Sequence, residues 1–333
     1  MGRPDEAFAH WLALSRLARQ RPMPLGVFLR HAGMTHGYIA MAVTWEALQF
    51  SGWNDAQLRQ LQSAWQSWDV REAWLTTANL DRAIAVDYVA RCRDNPSLLF
   101  VSILTYHWDP RLDFSENLSF NWGIFKFRTG ENLMLEVWRA AYSHDDELWT
   151  LQHRQVSLDE TRAALAADAF GPARLRAKPD YQRFHPGWRS LMMRADSVNR
   201  WWEDDQMKIA NFETARRITF TAIALHRYRG RHGSFPDSLQ KLMPEFLAEQ
   251  PRDFMNGQPF RYRLEADGGF SLWSVGDDLR DDGGDPLRVS GSPIFNLPRI
   301  LDGRDWVWPK PATEAEVAAY HAELAARRAS PAP

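Results

Sequence analysis

Helical periodicity dominates most of the chain. Apolar residues recur every three or four positions, which places them on one face of an α-helix. The clearest face consists of Leu58, Leu61, Trp65 and Trp68. Asn54 or Asp55 can cap the start of this helix. The same pattern predicts helices over 5–21, 25–50, 70–93, 131–143, 145–169 and 188–229. In the helix over 70–93, Ile84 is expected to face inward with Val70, Trp74 and Tyr88. A break in the last helix is expected near Glu203.

The pattern changes from helical to alternating near residue 260. Phe260, Tyr262 and Leu264 alternate with arginines, and Asp267-Gly268-Gly269 is a turn signal. Apolar residues resume after that turn at Phe270, Leu272 and Val275, with Trp273 on the opposite face. The segment therefore predicts a β-hairpin, and Asp305-Trp306-Val307-Trp308 predicts a third strand.

Together these elements predict an α+β protein. A Trp-rich all-helical domain is expected over 5–170, followed by an irregular linker over 171–187 that contains three prolines. A long helix and a small antiparallel sheet are expected over 188–310, and a C-terminal helix and tail over 311–333. The 16 Trp among 333 residues predict helix packing that relies on buried indole rings.

Charge and composition exclude several classes of function. The formal net charge of -2 gives no overall field that attracts nucleic acid, and acidic segments surround the small basic cluster of Arg227, Arg229 and Arg231. No apolar stretch reaches the roughly 20 residues of a membrane span, and the N-terminus lacks a secretory signal pattern. Cys92 is the one cysteine, which excludes an intrachain disulfide and a metal site built on several thiolates.

The candidate chemistry lies in an acidic loop after the predicted hairpin. The segment 277–285, which we call the acidic loop, contains Asp277, Asp278, Asp281, Asp282 and Asp285. Calcium prefers six to eight oxygen ligands from a bent acidic segment, and the loop's two glycines let the backbone fold around an ion. The spacing is not that of an EF-hand. A solvated acidic turn, or a helix capped by one of the aspartates, remains an alternative.

A resemblance to a known family covers residues 209–309. After a long helix, four segments follow in order: Gly233-Ser234-Phe235-Pro236, Pro251 to Tyr262, Gly269 to Asp278, and Asp305-Trp306-Val307-Trp308. They resemble the head of the major pseudopilin of bacterial type II secretion systems. The family's leader and hydrophobic N-terminal helix have no counterpart here. The layout is more similar to uncharacterised envelope-associated proteins of planctomycetes and verrucomicrobia with this module at their C-terminus, often with a membrane anchor upstream.

The resemblance implies a structural calcium ion in the acidic loop. It implies Asp278 and Asp305 as side-chain ligands, with Asp282 or Asp285 in the acidic loop position. Asp277 and Asp281 complete the candidate set by their place in the loop. The same resemblance implies a bacterial cell-envelope or periplasmic location.

Two hypotheses for function follow. The first is a non-enzymatic envelope or surface-assembly protein that uses the C-terminal module for contacts with protein partners. The second is a hydrolase whose active site lies in the helical domain, in a polar pocket formed by groups such as Glu203, His144 or Asp145, with the C-terminal module as an accessory. The sequence contains no nucleophile elbow, no HExxH motif and no phosphate-binding glycine loop. The first hypothesis is favoured mainly because the one specific signal in the sequence, the acidic loop, is structural.

Overall fold

The computed structural model describes residues 4–18, 26–50, 52–68, 70–95, 136–171, 195–285 and 304–310, with the single residues 318 and 322. The described helices are α1 (Pro4–Ala18), α2 (Gly26–Leu48), α3 (Asp55–Gln66), α4 (Val70–Asp94), α5 (Ser143–Ala167) and α6 (Ala195–His232). A π-helical turn, Trp138–Tyr142, precedes α5, and a 3-10 helix, Leu239–Leu242, follows α6. None of the described helices is both long and apolar enough to cross a membrane.

The sheet has three antiparallel strands in the order β1 (Arg261–Leu264), β2 (Phe270–Ser274) and β3 (Trp306–Val307). Leu264 lies opposite Phe270 across the hairpin, and Trp273 lies opposite Val307. At the turn, Gly268 has φ +81°, and the Gly269 N–H donates to Asp267 Oδ1 at 2.8 Å. The predicted α+β class, hairpin and third strand are confirmed.

Helix α3 begins where the sequence predicts. Asn54 is the N-cap, and its side chain accepts a hydrogen bond from the Gln57 N–H at 2.9 Å. The Gln57 side chain accepts from the Asn54 N–H at 3.1 Å, which completes a capping box. On the predicted face, Leu58, Leu61 and Trp65 are buried, and Trp68 is half-buried.

Several local predictions need correction. Ile84 is 45 % exposed rather than inward-facing, because α4 buries a different face through Val70, Trp74, Ala78, Val89 and Cys92. Helix α6 runs through Glu203 without the expected break. A π-helical turn joins directly to α5, so the chain is also helical across residue 144. Sequence periodicity locates an apolar face but does not fix which side of it a neighbouring helix covers.

The described residues fall into two compact units. Unit 1 contains 4–18, 32–50, 52–68, 211–285 and 304–310, and unit 2 contains 26–31, 70–95, 136–171 and 195–210. This grouping differs from the predicted domains, whose boundaries stay a prediction. The segment 97–125, the linker after Gly171 and most of the tail helix expected over 313–328 lie outside the described residues.

Unit 1 is built around the C-terminal part of α6. Its seam of Ala215, Ile218, Ala222 and Leu225 is fully buried, as the helical spacing predicts. Helices α1 and α2 are joined by a buried hydrogen bond from Trp11 Nε1 to Thr44 Oγ1 at 3.0 Å. The Trp45 Nε1 donates to the Pro309 carbonyl at 2.8 Å, so α2 also contacts the segment after β3. Indole rings therefore supply directed hydrogen bonds as well as apolar area.

Unit 2 is built on the packing of α4 against α5. Val89, Cys92 and Trp138 form one buried cluster, and Ala78 and Leu158 form another. Gln206 organises the buried polar contacts. Its Oε1 accepts from Trp74 Nε1 at 2.7 Å and from Thr161 Oγ1 at 3.1 Å.

Candidate metal site in an acidic loop

The acidic loop leaves β2 through Gly276. This residue has φ +64°, and a Cβ atom on it would lie 2.7 Å from the Arg304 carbonyl oxygen and 3.1 Å from Trp306 Nε1. The loop therefore starts in direct contact with the segment that leads into β3. Only glycine combines this backbone conformation with this close approach.

Asp305 connects the far end of the loop to the sheet. Its Oδ2 accepts hydrogen bonds from the N–H groups of Gly284 at 2.8 Å and Asp285 at 3.3 Å. Its own N–H donates to the Asp285 carbonyl at 3.2 Å. Asp305 is fully buried, and no donor among the described residues bonds its Oδ1. A buried carboxylate oxygen without a partner is costly, so this atom needs an explanation.

The electrostatic surroundings of Asp305 disfavour its negative charge. Burial raises the pKa of this carboxyl group, and the nearby Asp281 carboxylate raises it further. The backbone N–H groups of Gly284, Asp285 and Asp282 oppose the rise, but the pKa stays above its usual value. A cation beside Oδ1 would offset both unfavourable contributions by its attraction for the Asp305 carboxylate.

Asp281 is stabilised by protein contacts instead. Its Oδ1 accepts from Trp273 Nε1 at 3.0 Å and from the Gly283 N–H at 3.1 Å. Arg261 Nε lies 3.1 Å from its Oδ2. The Trp273 hydrogen bond is the main cause that lowers the pKa of Asp281, and Arg261 adds to it. Asp281 therefore acts in this structure as a partner of β1 and β2.

The other aspartates of the acidic loop are less constrained. Asp277, Asp278 and Asp282 are exposed, and Asp285 is half-buried. Asp278 Oδ1 accepts from the Arg280 N–H at 2.9 Å, which closes a tight turn. Asp277 lies close enough to Tyr38 of α2 to add to the rise in the Tyr38 pKa that burial mainly causes.

The structure therefore gathers only part of the predicted ligand set. It brings Asp285 and the backbone of Asp282 to the buried Asp305, with the Asp281 carboxylate nearby. Asp277, Asp278, Asp281 and Asp282 are exposed. Among the described residues, no three His, Cys, Asp or Glu side chains converge as a metal-ligating group. What fits a cation is the unpartnered Asp305 Oδ1 beside an acidic loop that also offers backbone carbonyls.

A buried carboxylate that the sequence analysis did not single out supports the loop from β2. Asp253 accepts from Ser274 Oγ at 2.9 Å, from the Met255 N–H at 2.9 Å and from the Val275 N–H at 3.0 Å. Burial raises its pKa against these hydrogen bonds. Asp253 thereby joins the turn over 251–259 to the strand end before the acidic loop. The sequence signal was an Asp that precedes an Asn-Gly pair in a segment between two prolines.

A second buried charge cluster lies inside α6. Glu213 accepts from Arg216 at 2.7 and 2.9 Å and from Arg217 Nε at 2.8 Å. Burial raises the pKa of Glu213, but the two arginines outweigh it, so the pKa lies below its usual value. Arg216 Nη1 also donates to the Trp65 carbonyl at 2.8 Å, which satisfies the end of α3.

The residues proposed for a hydrolytic pocket lie elsewhere. The His144 side chain is 77 % exposed, 3.7 Å from Glu147 on the same helix. Asp145 is exposed beside it on α5, and the side chain of Glu203 lies outside the described residues. The two described members therefore lie at the surface of unit 2.

Comparisons with protein-family models, curated proteins and solved structures find no match to this chain. The resemblance to the pseudopilin head therefore stays a prediction from the sequence segments.

Proposed function

We propose that this chain is a non-enzymatic envelope or surface-assembly protein that contacts protein partners and contains one structural calcium ion in its C-terminal module. The observation that supports the ion is Asp305 Oδ1, a buried carboxylate oxygen without a hydrogen bond among the described residues. The envelope location and the assembly role rest on the resemblance to pseudopilin heads.

In this proposal, Asp305 Oδ1 is the fixed ligand, and the acidic loop supplies the others. Asp278 and either Asp282 or Asp285 provide carboxylates as the loop closes around the ion, and loop carbonyls complete an oxygen-rich shell. Asp277 lies near Tyr38. Asp281 remains paired with Arg261 and holds the loop against β1. The calcium ion supplies positive charge among crowded aspartates, whose mutual repulsion favours an open loop.

A structural role fits the surroundings of Asp305 better than a catalytic one. The groups that approach its carboxylate are backbone N–H groups of the same loop, and Trp273 packs against Gly284 beside them. An ion at this position would join the loop to β3. That closure would give a partner-binding surface a fixed shape, which lowers the entropy cost of association.

The test compares thermal unfolding in EDTA and in millimolar calcium for the wild type and three variants. A ligand that binds only the folded state raises its stability in proportion to the logarithm of ligand concentration over Kd. We expect calcium to raise the wild-type Tm, and we expect Asp305→Asn and Asp278→Ala to lose most of that rise. Asp267→Asn in the hairpin turn is the matched control and keeps it.

The comparison of Tm in EDTA and in calcium distinguishes a loss of calcium binding from misfolding. Asp305→Asn removes a buried charge that has one unpartnered oxygen, so in EDTA this variant should melt no lower than the wild type. A wild type that melts at the same temperature in EDTA and calcium contradicts the proposed site. So does an Asp305→Asn variant that keeps the full wild-type rise.

A further inference from the structure

Unit 1 contains a cavity that is lined by residues from three helices. It encloses about 320 Å³ between the end of α2, the start of α3 and the last turns of α6. Its lining includes Phe50 and Trp53, which we call the aromatic wall, and the three arginines Arg227, Arg229 and Arg231. This volume lies at the lower end of the range for small-molecule pockets, roughly 300 to 1,000 Å³.

The aromatic wall consists of apolar rings, and Trp53 also packs against Phe8 and Trp11, with ring centroids 6.0 and 5.3 Å apart. Phe50 and Trp53 meet edge to face, with ring centroids 5.3 Å apart. Trp53 Nε1 is already bonded to the Ala47 carbonyl at 2.8 Å. Phe50 remains 42 % exposed, which is unusual for a large apolar side chain beside a cavity. The wall suits the flat apolar part of a ligand.

The three arginines differ in their partners. Arg227 lies 2.7 Å from Asp55 and also bonds Gln62, and Arg231 pairs with Glu245. Arg229 stacks on the Phe235 ring at 4.8 Å and has no carboxylate partner among the described residues. Arg229 is therefore the cation whose planar donor groups remain for a ligand.

The neighbouring His226 supplies neither a second positive charge nor an acidic proton for a bound anion. Burial, and then the charge of Arg229, lower the pKa of His226 to about 4, so its ring is neutral near pH 7. Its ring also contacts Phe235 and Phe270. With Asp55 as the one carboxylate of the lining and three arginines around it, the cavity has an excess of positive charge.

We propose that this cavity is a binding site for a small aryl oxyanion, a flat apolar body bearing a carboxylate or a phosphate monoester. The oxyanion accepts paired hydrogen bonds from Arg229, and the apolar body packs against Phe50 and Trp53. This site is independent of the proposed calcium ion, because none of its lining residues belongs to the acidic loop.

Isothermal titration calorimetry with 2-naphthoate and phenyl phosphate tests the site, with neutral 2-naphthamide as the uncharged comparison. We expect saturable one-site binding of at least one anion and binding of the amide weaker by about tenfold or more. Whichever anion binds more tightly identifies the carboxylate or the phosphate form of the ligand. Repeating the titration in EDTA separates this result from the calcium site.

Variants assign the binding to the cavity. Arg229→Gln should weaken anion binding by about tenfold or more, and Arg229→Lys, which keeps the charge but not the fork, should fall between it and the wild type. Arg91→Gln makes the same charge change at an exposed side chain of α4 and should leave binding unchanged. Arg229 has no ion pair with the residues that the structure describes and loses only its stacking on Phe235, so its variants should melt close to the wild type.

Three results would overturn the proposal. One is the absence of binding by both anions at millimolar concentration. Another is equal binding of 2-naphthamide, which would mean a purely apolar site. The third is an equal loss of affinity in Arg229→Gln and Arg91→Gln, which would mean a general charge effect.

Discussion

Gly276 lies so close to Arg304 that a Cβ atom on the glycine would stand 2.7 Å from the Arg304 carbonyl oxygen. The neighbour is backbone, so it cannot move aside as a flexible side chain can. Gly276→Ala should therefore cost the strain of a positive φ, about 1–2 kcal/mol, and a further 1–3 kcal/mol, approximately, from overpacking. Chemical denaturation measures the loss.

Gly268→Ala is the matched control for this contact. Gly268 also has a positive φ, +81°, but a Cβ atom on it would meet nothing within 4 Å. Gly268→Ala should therefore lose only the unfolding free energy that corresponds to the strain of the positive φ. Equal losses of unfolding free energy in the two variants would show that the close approach of Arg304 does not restrict which residue can occupy position 276.

The Glu213 cluster gives the second prediction. Glu213→Gln removes the carboxylate that pairs with the buried Arg216 and Arg217, and removing one partner of a buried ion pair typically costs about 3–5 kcal/mol. Asp237→Asn makes the same carboxylate-to-amide change at an exposed pair with Lys241 in the same unit. That control should leave the melting temperature nearly unchanged. A Glu213→Gln protein as stable as the control would contradict the assigned role of the cluster.

His226 predicts how stability depends on pH. Its pKa is about 4 in the folded protein against an ordinary 6.5, so the unfolded chain binds a proton first as the pH falls. The contribution of His226 is therefore fully present above pH 6.5 and is lost as the pH falls towards 4. The loss is at most roughly 3 kcal/mol.

Denaturation between pH 7 and pH 4 measures this effect. His226→Gln should flatten the decline, because the glutamine takes up no proton. His144→Gln, at a side chain that is 77 % exposed, should keep the wild-type decline. Identical curves for His226→Gln and the wild type would assign the acid sensitivity to other groups.

Much of the fold follows from local sequence signals. Asn54 followed by Gln57 specifies the start of α3, and alternation around Asp267-Gly268 specifies the hairpin. These features depend on residues close in sequence, so a single chain contains the information. Ile84 is the counterexample, because its exposure depends on where α5 packs along α4.

The candidate metal site could be predicted only in part from such local signals. Five aspartates in one loop are visible in the sequence, but the distinct roles of Asp281 and Asp305 are not. Asp281 accepts hydrogen bonds from Arg261 of β1 and Trp273 of β2, while Asp305 is buried where the chain enters β3. The buried role of Glu213 was not predicted, because a Glu that lies three and four residues before two arginines on a helix usually marks a solvated face. Long-range packing decides each of these cases.

The most direct test of the central claim is a calorimetric calcium titration of the metal-stripped protein. We predict saturable binding of one calcium ion per chain, absent in Asp305→Asn and retained in Asp267→Asn. Magnesium should bind far more weakly, because it demands a compact octahedral shell and gives up its water reluctantly. The absence of heat at millimolar calcium, with an intact fold, would contradict the account and leave the acidic loop as a turn held by contacts such as those of Arg261, Trp273 and Asp305.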